Sequence, residues 1–369
     1  GGVLDPDSGI DDDPVPGRGN DYNDPFMSHG IAVPWYAALG NHDMLYSGGF
    51  GRITDELRAG AVRGEVYESK IFPNGFRDGS TVYGDVVTEG ATPPDEARIP
   101  QRIGEALQLV YDAGGEPKGH GLSPEDVAAE RGYFSVYPIP GKPIRLITLQ
   151  TANPDGGLAV GSMGRMEETQ LAWLRDELSD ADAAHELVIV MSHHKASSFA
   201  NSSPISGEEL SDILSESEGV VLHVTGHGHY NAAGPFALET DSDPQYGYWE
   251  LMLASTVDFP MQTRIIEIVD DDNGFLSIYV TNLDHNSPED SLAHKGRSLA
   301  VAEIPFSSYH NGGDVIAYWK EDVVSQNLLL RIQIPDAVRA ELAKFEWPTR
   351  IESEETLLNL PTPGPNPRN

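Results

Sequence analysis

Cysteine is absent from all 369 residues, so no disulfide braces this chain and thiol usage says nothing of its redox compartment. No apolar run approaches the roughly 20 residues that span a bilayer as a helix. Basic residues are scarce, with 24 Lys and Arg against 58 Asp and Glu and a net charge of −34. That imbalance argues against nucleic acid or an anionic membrane surface as a main partner, because such polyanions are held by clustered Lys and Arg. It also repels phosphorylated substrates unless a local cation offsets it. Internal repeats are lacking too. What remains is a chain of 39 % hydrophobic content, enough to bury one substantial core as one large or two ordinary domains.

Along the chain, residues 1–28 are rich in Asp, Gly, Pro and Asn. Asp5, Asp7, Asp11, Asp12 and Asp13 depart from the spacing of a twelve-residue calcium loop and lack its closing Glu, so they read as a solvated acidic loop. Ile31–Tyr36 is expected to be a strand. Residues 52–132 carry many Gly, Pro and charged residues around one helical pattern, Ile103, Leu107 and Val110, and read as a long insertion forming a cap. From Tyr133 to Leu283 strand and helix patterns alternate, the signature of a layered α/β domain. Beyond Asp284 the pattern weakens, with strands expected at Leu299–Ile304 and Leu328–Ile332 and a helix at Val338–Phe345. The Pro- and Asn-rich tail from Leu360 is expected to be disordered.

Three short motifs stand out, each expected at a strand exit. Gly40-Asn41-His42-Asp43 follows Ile31–Tyr36, Ser192-His193-His194 follows Leu187–Met191, and Gly226-His227-Gly228-His229 follows Val220–Val224. Imidazole nitrogen and amide oxygen are suitable donors for divalent ions. Histidines spaced i, i+2 project to one side of an extended segment, so His227 and His229 can serve neighbouring ions. Asn41 offers a neutral carbonyl oxygen, which adds no negative charge where an anion must approach. His42 is placed to protonate a leaving oxygen or steady developing charge, with Asp43 orienting it. His29, His120, His185, His223, His285, His294 and His310 read as surface or satisfied structural residues, and Lys195 as a solvated lysine.

In order and composition these motifs resemble those of the calcineurin-like metallophosphoesterase superfamily, whose pattern is D-x-H, G-D, G-N-H-D/E, H and G-H-x-H. The resemblance covers roughly residues 30–283, including Ile144–Leu149 with Thr151-Ala152-Asn153, the helix Gln170–Leu178, and the strands Tyr248–Met252 and Thr263–Ile268. It implies an α/β fold of two facing β-sheets, a sandwich flanked by helices. It implies Asn41, His193 and His227 as ligands of one metal and His229 as a ligand of the other. His193 is preferred to His194 because it comes first after the strand. His42 is implied as the catalytic histidine with Asp43 as its partner. The implied cofactors are two divalent or trivalent ions drawn from Fe, Mn and Zn, about 3.5–4 Å apart, with a bridging hydroxide attacking a small phosphate mono- or diester.

The departures are informative. No Asp-x-His occurs in the chain, and Gly84-Asp85 and Gly313-Asp314 both follow the Asn41 motif instead of preceding it. With an opening at Gly1-Gly2 rather than Met, the resemblance implies an N-terminally incomplete domain over residues 1–309, with the insertion at about 52–132 and a C-terminal extension over 310–369. On that reading the first strands and at least three ligands lie upstream. Two rivals follow: a non-catalytic metal-binding or structural protein derived from this fold, and a Ser-His-Asp hydrolase, which lacks a Gly-x-Ser-x-Gly elbow at a strand exit.

Overall fold

A computed structural model describes residues 30–44, 55–64, 66–67, 86–88, 94–96, 99–152, 162–237, 247–289, 291–303 and 326–348. The Asp-rich stretch before residue 30, Gly84-Asp85, Asn153, Gly313-Asp314 and the tail from Leu360 lie outside them. Helices α1 (Asn41–Met44), α2 (Asp55–Arg63), α3 (Ile103–Asp112) and α4 (Pro124–Ala128) come first, with the two-stranded ribbon β1 (Val66–Tyr67) and β2 (Val86–Thr88) between α2 and α3. Then follow β3 (Phe134–Val136), β4 (Ile144–Thr148), α5 (Glu168–Ala183), β5 (Leu187–Met191), α6 (Gly207–Glu216), β6 (Val220–Thr225), β7 (Ala232–Ala237) and β8 (Gly247–Met252). The last elements are β9 (Gln262–Asp270), β10 (Phe275–Asp284), α7 (Leu292–Glu303), β11 (Leu328–Gln333) and α8 (Asp336–Leu342).

Six strands form the main sheet in the order β3-β4-β5-β6-β8-β7. β4, β5, β6 and β8 run parallel, and β3 and β7 close the edges antiparallel. The parallel centre explains the continuous apolar run Leu187-Val188-Ile189-Val190-Met191, since such strands are covered on both faces. One face carries Ile147, Val188, Val190 and Tyr248 against Leu171, Leu174 and Leu178 of α5 and Leu210, Ile213 and Leu214 of α6. The other carries Leu187, Leu222 and Leu251 against a second sheet, ordered β11-β10-β9, through Leu276, Ile278, Val280 and Leu330. The two sheets facing each other with helices outside are the expected fold class.

The structure corrects several expectations. Residues 31–36 form no strand: Pro34 removes a ladder donor, Ile31 and Val33 are exposed, and the segment is held by Trp35 N–H donating to Glu116 O at 3.0 Å. Leu299–Glu303 is helical, the end of α7, because Leu292, Ala293, Lys295, Arg297, Leu299, Ala300 and Ala302 together favour a helix more than Val301 favours a strand. From β6 to β10 no helix intervenes among the described residues, so the alternation ends earlier than expected. Within the segment expected as a C-terminal extension over 310–369, the described residues 326–348 include a strand and a helix packed on the second sheet. β11 pairs with β10, and Val338 and Leu342 of α8, which starts two residues before the expected helix, are buried beneath the second sheet.

Candidate metal centre

The parallel strands deliver two of the three motifs side by side. Sheet hydrogen bonding continues past the strand ends, with Ser192 N–H donating to Val224 O at 3.0 Å, Gly226 N–H to His193 O at 2.9 Å and Leu253 N–H to Thr225 O at 2.8 Å. This aligns the loop after β5 with the loop after β6. His227 and His229 both take left-handed backbone (φ 67° and 59°), and Gly228 N–H donates to Gly226 O at 2.7 Å, so the segment between them turns sharply.

The third motif arrives by packing. Tyr36 and Leu39 rest on a small core made by Leu107, Leu122, Val127 and Phe134. Trp35 stacks on His120 with ring centroids 3.4 Å apart, and both His120 ring nitrogens lie 3.2 Å from carbonyl oxygens of Trp35 and Ala113. His120 is thus a buried structural histidine. The insertion therefore buttresses the arm that carries Asn41. Gly40 is required at its tip because the His193 ring lies against it, and a Cβ there would come within 2.6–2.8 Å of three ring atoms.

At the meeting point buried Asn41 sits between two imidazoles. Its Oδ1 lies 2.8 Å from His193 Nε2 and 3.2 Å from His227 Nδ1. Bonds of about 2.1 Å to one ion set donor separations of roughly 3.0–3.4 Å in octahedral or tetrahedral geometry. The 3.2 Å separation falls in that range and the 2.8 Å one just short of it, so Asn41 stands close enough to either imidazole to share one divalent cation with it. Burial, then the neighbouring histidines, pushes the His193 pKa down to about 3 and the His227 pKa to about 4. Both rings are neutral near pH 7, the form that donates a lone pair. His42 and His229 are among the groups that oppose charging of both rings, which places them beside the cluster.

His194 lies in the same cluster, with ligand atoms of His193, His194 and His227 all within 4.8 Å, yet its ring is committed elsewhere. Nε2 lies 2.8 Å from Ser162 O, which only accepts, so this nitrogen carries the proton. Nδ1, 3.0 Å from Thr151 Oγ1, then accepts from the hydroxyl. No lone pair is left, and burial first, then His227, lowers its pKa to about 3. Asp43 folds back on its own loop: its Oδ2 accepts from Gly40 N–H at 2.8 Å. His42 is exposed at the start of α1.

A sequence model described as calcineurin-like phosphoesterase matches residues 10–231, more than half of the chain. The chain belongs to the calcineurin-like phosphoesterase family. Among solved structures, a dimetal phosphatase from Danio rerio is similar at 14 % identity with a TM-score of 0.30, covering 42 % of this chain and 58 % of that one. So the chain spans less than two thirds of that protein's length, and an overlap of this kind carries no weight beyond the family match. No curated protein matches the sequence. Among the described residues no helix is long and apolar enough to cross a membrane.

This member of the family also holds a buried Ser-His-Glu series that motif reading did not flag. Ser192 Oγ lies 2.8 Å from His223 Nε2, and His223 Nδ1 faces Glu250 Oε2 at 3.4 Å, a long contact. It is not a nucleophilic triad. The Ser192 hydroxyl proton is donated to His194 O at 2.8 Å, so His223 Nε2 must donate to Ser192 and has no lone pair with which to deprotonate it. All three residues are buried. Glu250 Oε2 accepts from Ala196 N–H at 3.3 Å, and this bond together with the Ser192–His194 bond braces the loop that presents His193. Thr151, Ser162 and Glu250 were missed because each acts from a distant strand or loop, and no local spacing marks them.

Proposed function

We propose that this protein is a metal-dependent phosphoesterase in which Asn41, His193 and His227 hold one ion and His229 contributes to a second. The observation that carries the reading is the convergence of Asn41 Oδ1, His193 Nε2 and His227 Nδ1 from three distant segments. When bound, such ions supply Lewis-acid stabilisation of a phosphoryl oxygen and lower the pKa of a water. Fe, Mn and Zn all suit this nitrogen and oxygen set. A neutral amide and two neutral imidazoles add no negative charge there, which matters on a chain of net charge −34.

His42, exposed next to Asn41, holds the proton that passes to the leaving oxygen. Asp43 orients His42 on this reading, and its Oδ2 accepts from Gly40 N–H and so also shapes the turn presenting Asn41 and His42. Leu107, Leu122 and Val127, within the insertion expected at about 52–132, pack behind this arm, and the insertion is proposed to select among small phosphate mono- and diesters.

The test is hydrolysis of p-nitrophenyl phosphate and bis-p-nitrophenyl phosphate by chain stripped of metal and reloaded with Mn²⁺, Zn²⁺ or Fe²⁺. Metal-dependent turnover that Asn41→Ala and His227→Ala both abolish is expected. Metal binding without turnover of either ester points to a non-catalytic binding protein of the same fold.

A further inference from the structure

Among the described residues outside the three motifs, a carboxylate reaches a proposed ligand. Asp258, on the loop between β8 and β9, places Oδ2 in hydrogen-bonding contact with Nδ1 of His229. This loop is built, not loose. Ser255 Oγ accepts from Val257 N–H at 3.0 Å and from Asp258 N–H at 3.2 Å, and Met261 N–H donates to Asp258 O at 2.7 Å. The loop is also stapled to the histidine turn. Fully buried Asn231, two residues after His229, donates to Gln262 Oε1 at 2.9 Å and accepts from Ala254 N–H at 3.0 Å. Asn231 thus ties the histidine turn to both ends of the loop that carries Asp258, independently of the ion pair.

We propose that Asp258 is the positioning residue of His229, holding its imidazole as the Nδ1–H tautomer so that Nε2 presents the lone pair to a metal. The inference rests on the metal-site reading above. A carboxylate accepts only, so a neutral His229 facing it keeps its proton on Nδ1 and its lone pair on Nε2. Carboxylates behind metal-ligating imidazoles act in this way, fixing tautomer and ring orientation and raising basicity. The alternative is an ordinary ion pair. With side-chain exposures of 31 % and 49 %, such a pair contributes little to stability, and its removal would leave metal affinity and tautomer alone.

The experiment uses the full chain, labelled with ¹⁵N, with long-range ¹H–¹⁵N spectra reading the His229 tautomer in the metal-free protein and equilibrium dialysis reading Zn²⁺ affinity. His229→Gln assigns the resonance. The wild type is expected to show the Nδ1–H form. Asp258→Ala is expected to shift the ring toward the Nε2–H form and weaken Zn²⁺ binding about 10–100-fold, with Asp258→Glu restoring part of both. In a His229→Ala background, Asp258→Ala should add no further loss. The Ser255 bonds are made by backbone N–H groups, so these variants keep the loop, and an unchanged melting temperature verifies this. Zn²⁺ binding that His227→Ala abolishes but Asp258→Ala leaves unmoved overturns this proposal alone, as does an unchanged tautomer. A wild type that binds no Zn²⁺ overturns the metal reading and this proposal with it.

Discussion

Gly40→Ala probes the site through one methyl group. A Cβ at this position would lie 2.6 Å from His193 Cε1, 2.7 Å from Nδ1 and 2.8 Å from Nε2. Comfortable separations between such atoms start near 3.5 Å, so ring or arm must retreat by about 0.9 Å at the closest contact. The backbone at Gly40 is not left-handed, so alanine adds no conformational strain and the contact alone is tested. A retreat of that size is close to the ~1 Å misplacement that costs about 100-fold in rate, and it opens the 2.8 Å approach of His193 to Asn41. We expect Gly40→Ala to retain its melting temperature within a few degrees, to lose bound metal on desalting as read by mass spectrometry, and to fall about 100-fold in phosphate-ester hydrolysis. Gly114→Ala is the control, since nothing lies within 4 Å of its Cβ and its backbone is also permissive. Wild-type metal content and turnover in Gly40→Ala would refute the claim that His193 is seated on this glycine.

Three further outcomes follow from the same geometry. Leu174→Ala, at a fully buried position on the core-facing side of α5, should lower unfolding free energy by about 2–5 kcal/mol in urea titration; a smaller loss would mean that core relaxes around the gap. Burial acts to raise the Asp126 pKa, but hydrogen bonds from Ser123 and Arg131 outweigh it, and the folded value lies below the ordinary carboxylate range. A depressed folded pKa contributes stability above the unfolded value of 3.8 that is lost as pH falls through the folded one. The melting-temperature advantage of wild type over Asp126→Asn should therefore hold at neutral pH and shrink below about pH 4; an advantage that persists into stronger acid would contradict this. Dialysis against EDTA should remove hydrolytic activity, and added Mn²⁺ or Zn²⁺ should restore it; activity insensitive to chelator would exclude the proposed chemistry.

How much was legible depended on where the deciding contacts lie. β4, β5, β6 and β8 could be read because strands buried on both faces need unbroken apolar runs, and the loops after β5 and β6 follow directly from them. The Asn41 arm could not, since its path is set by Glu116, His120 and the core around Leu107, all remote in sequence. α7 was misread because Leu299–Ile304 is a short apolar run that suits either period, and length and neighbours decide it. The choice of His193 over His194 rested on order after the strand. In the structure Thr151 and Ser162 are what occupy the His194 ring, a distinction no spacing encodes. Asp258 was invisible for the same reason.

The unequal delivery of the three arms has a kinetic corollary. His193 and His227 come together as soon as β5 and β6 align, but Asn41 reaches them across 152 and 186 residues with no strand to carry it. Closing so long a loop is entropically costly and is compensated only once the insertion core exists to receive Trp35, Tyr36 and Leu39. Docking of this arm is therefore expected to be a late event in chain collapse. In stopped-flow refolding, a fluorescent zinc-competition signal should lag the sheet's circular dichroism, and simultaneous signals would contradict this order. On the proposed ligand set, an ion that needs all three donors would discriminate finished molecules from those that have assembled only their sheets.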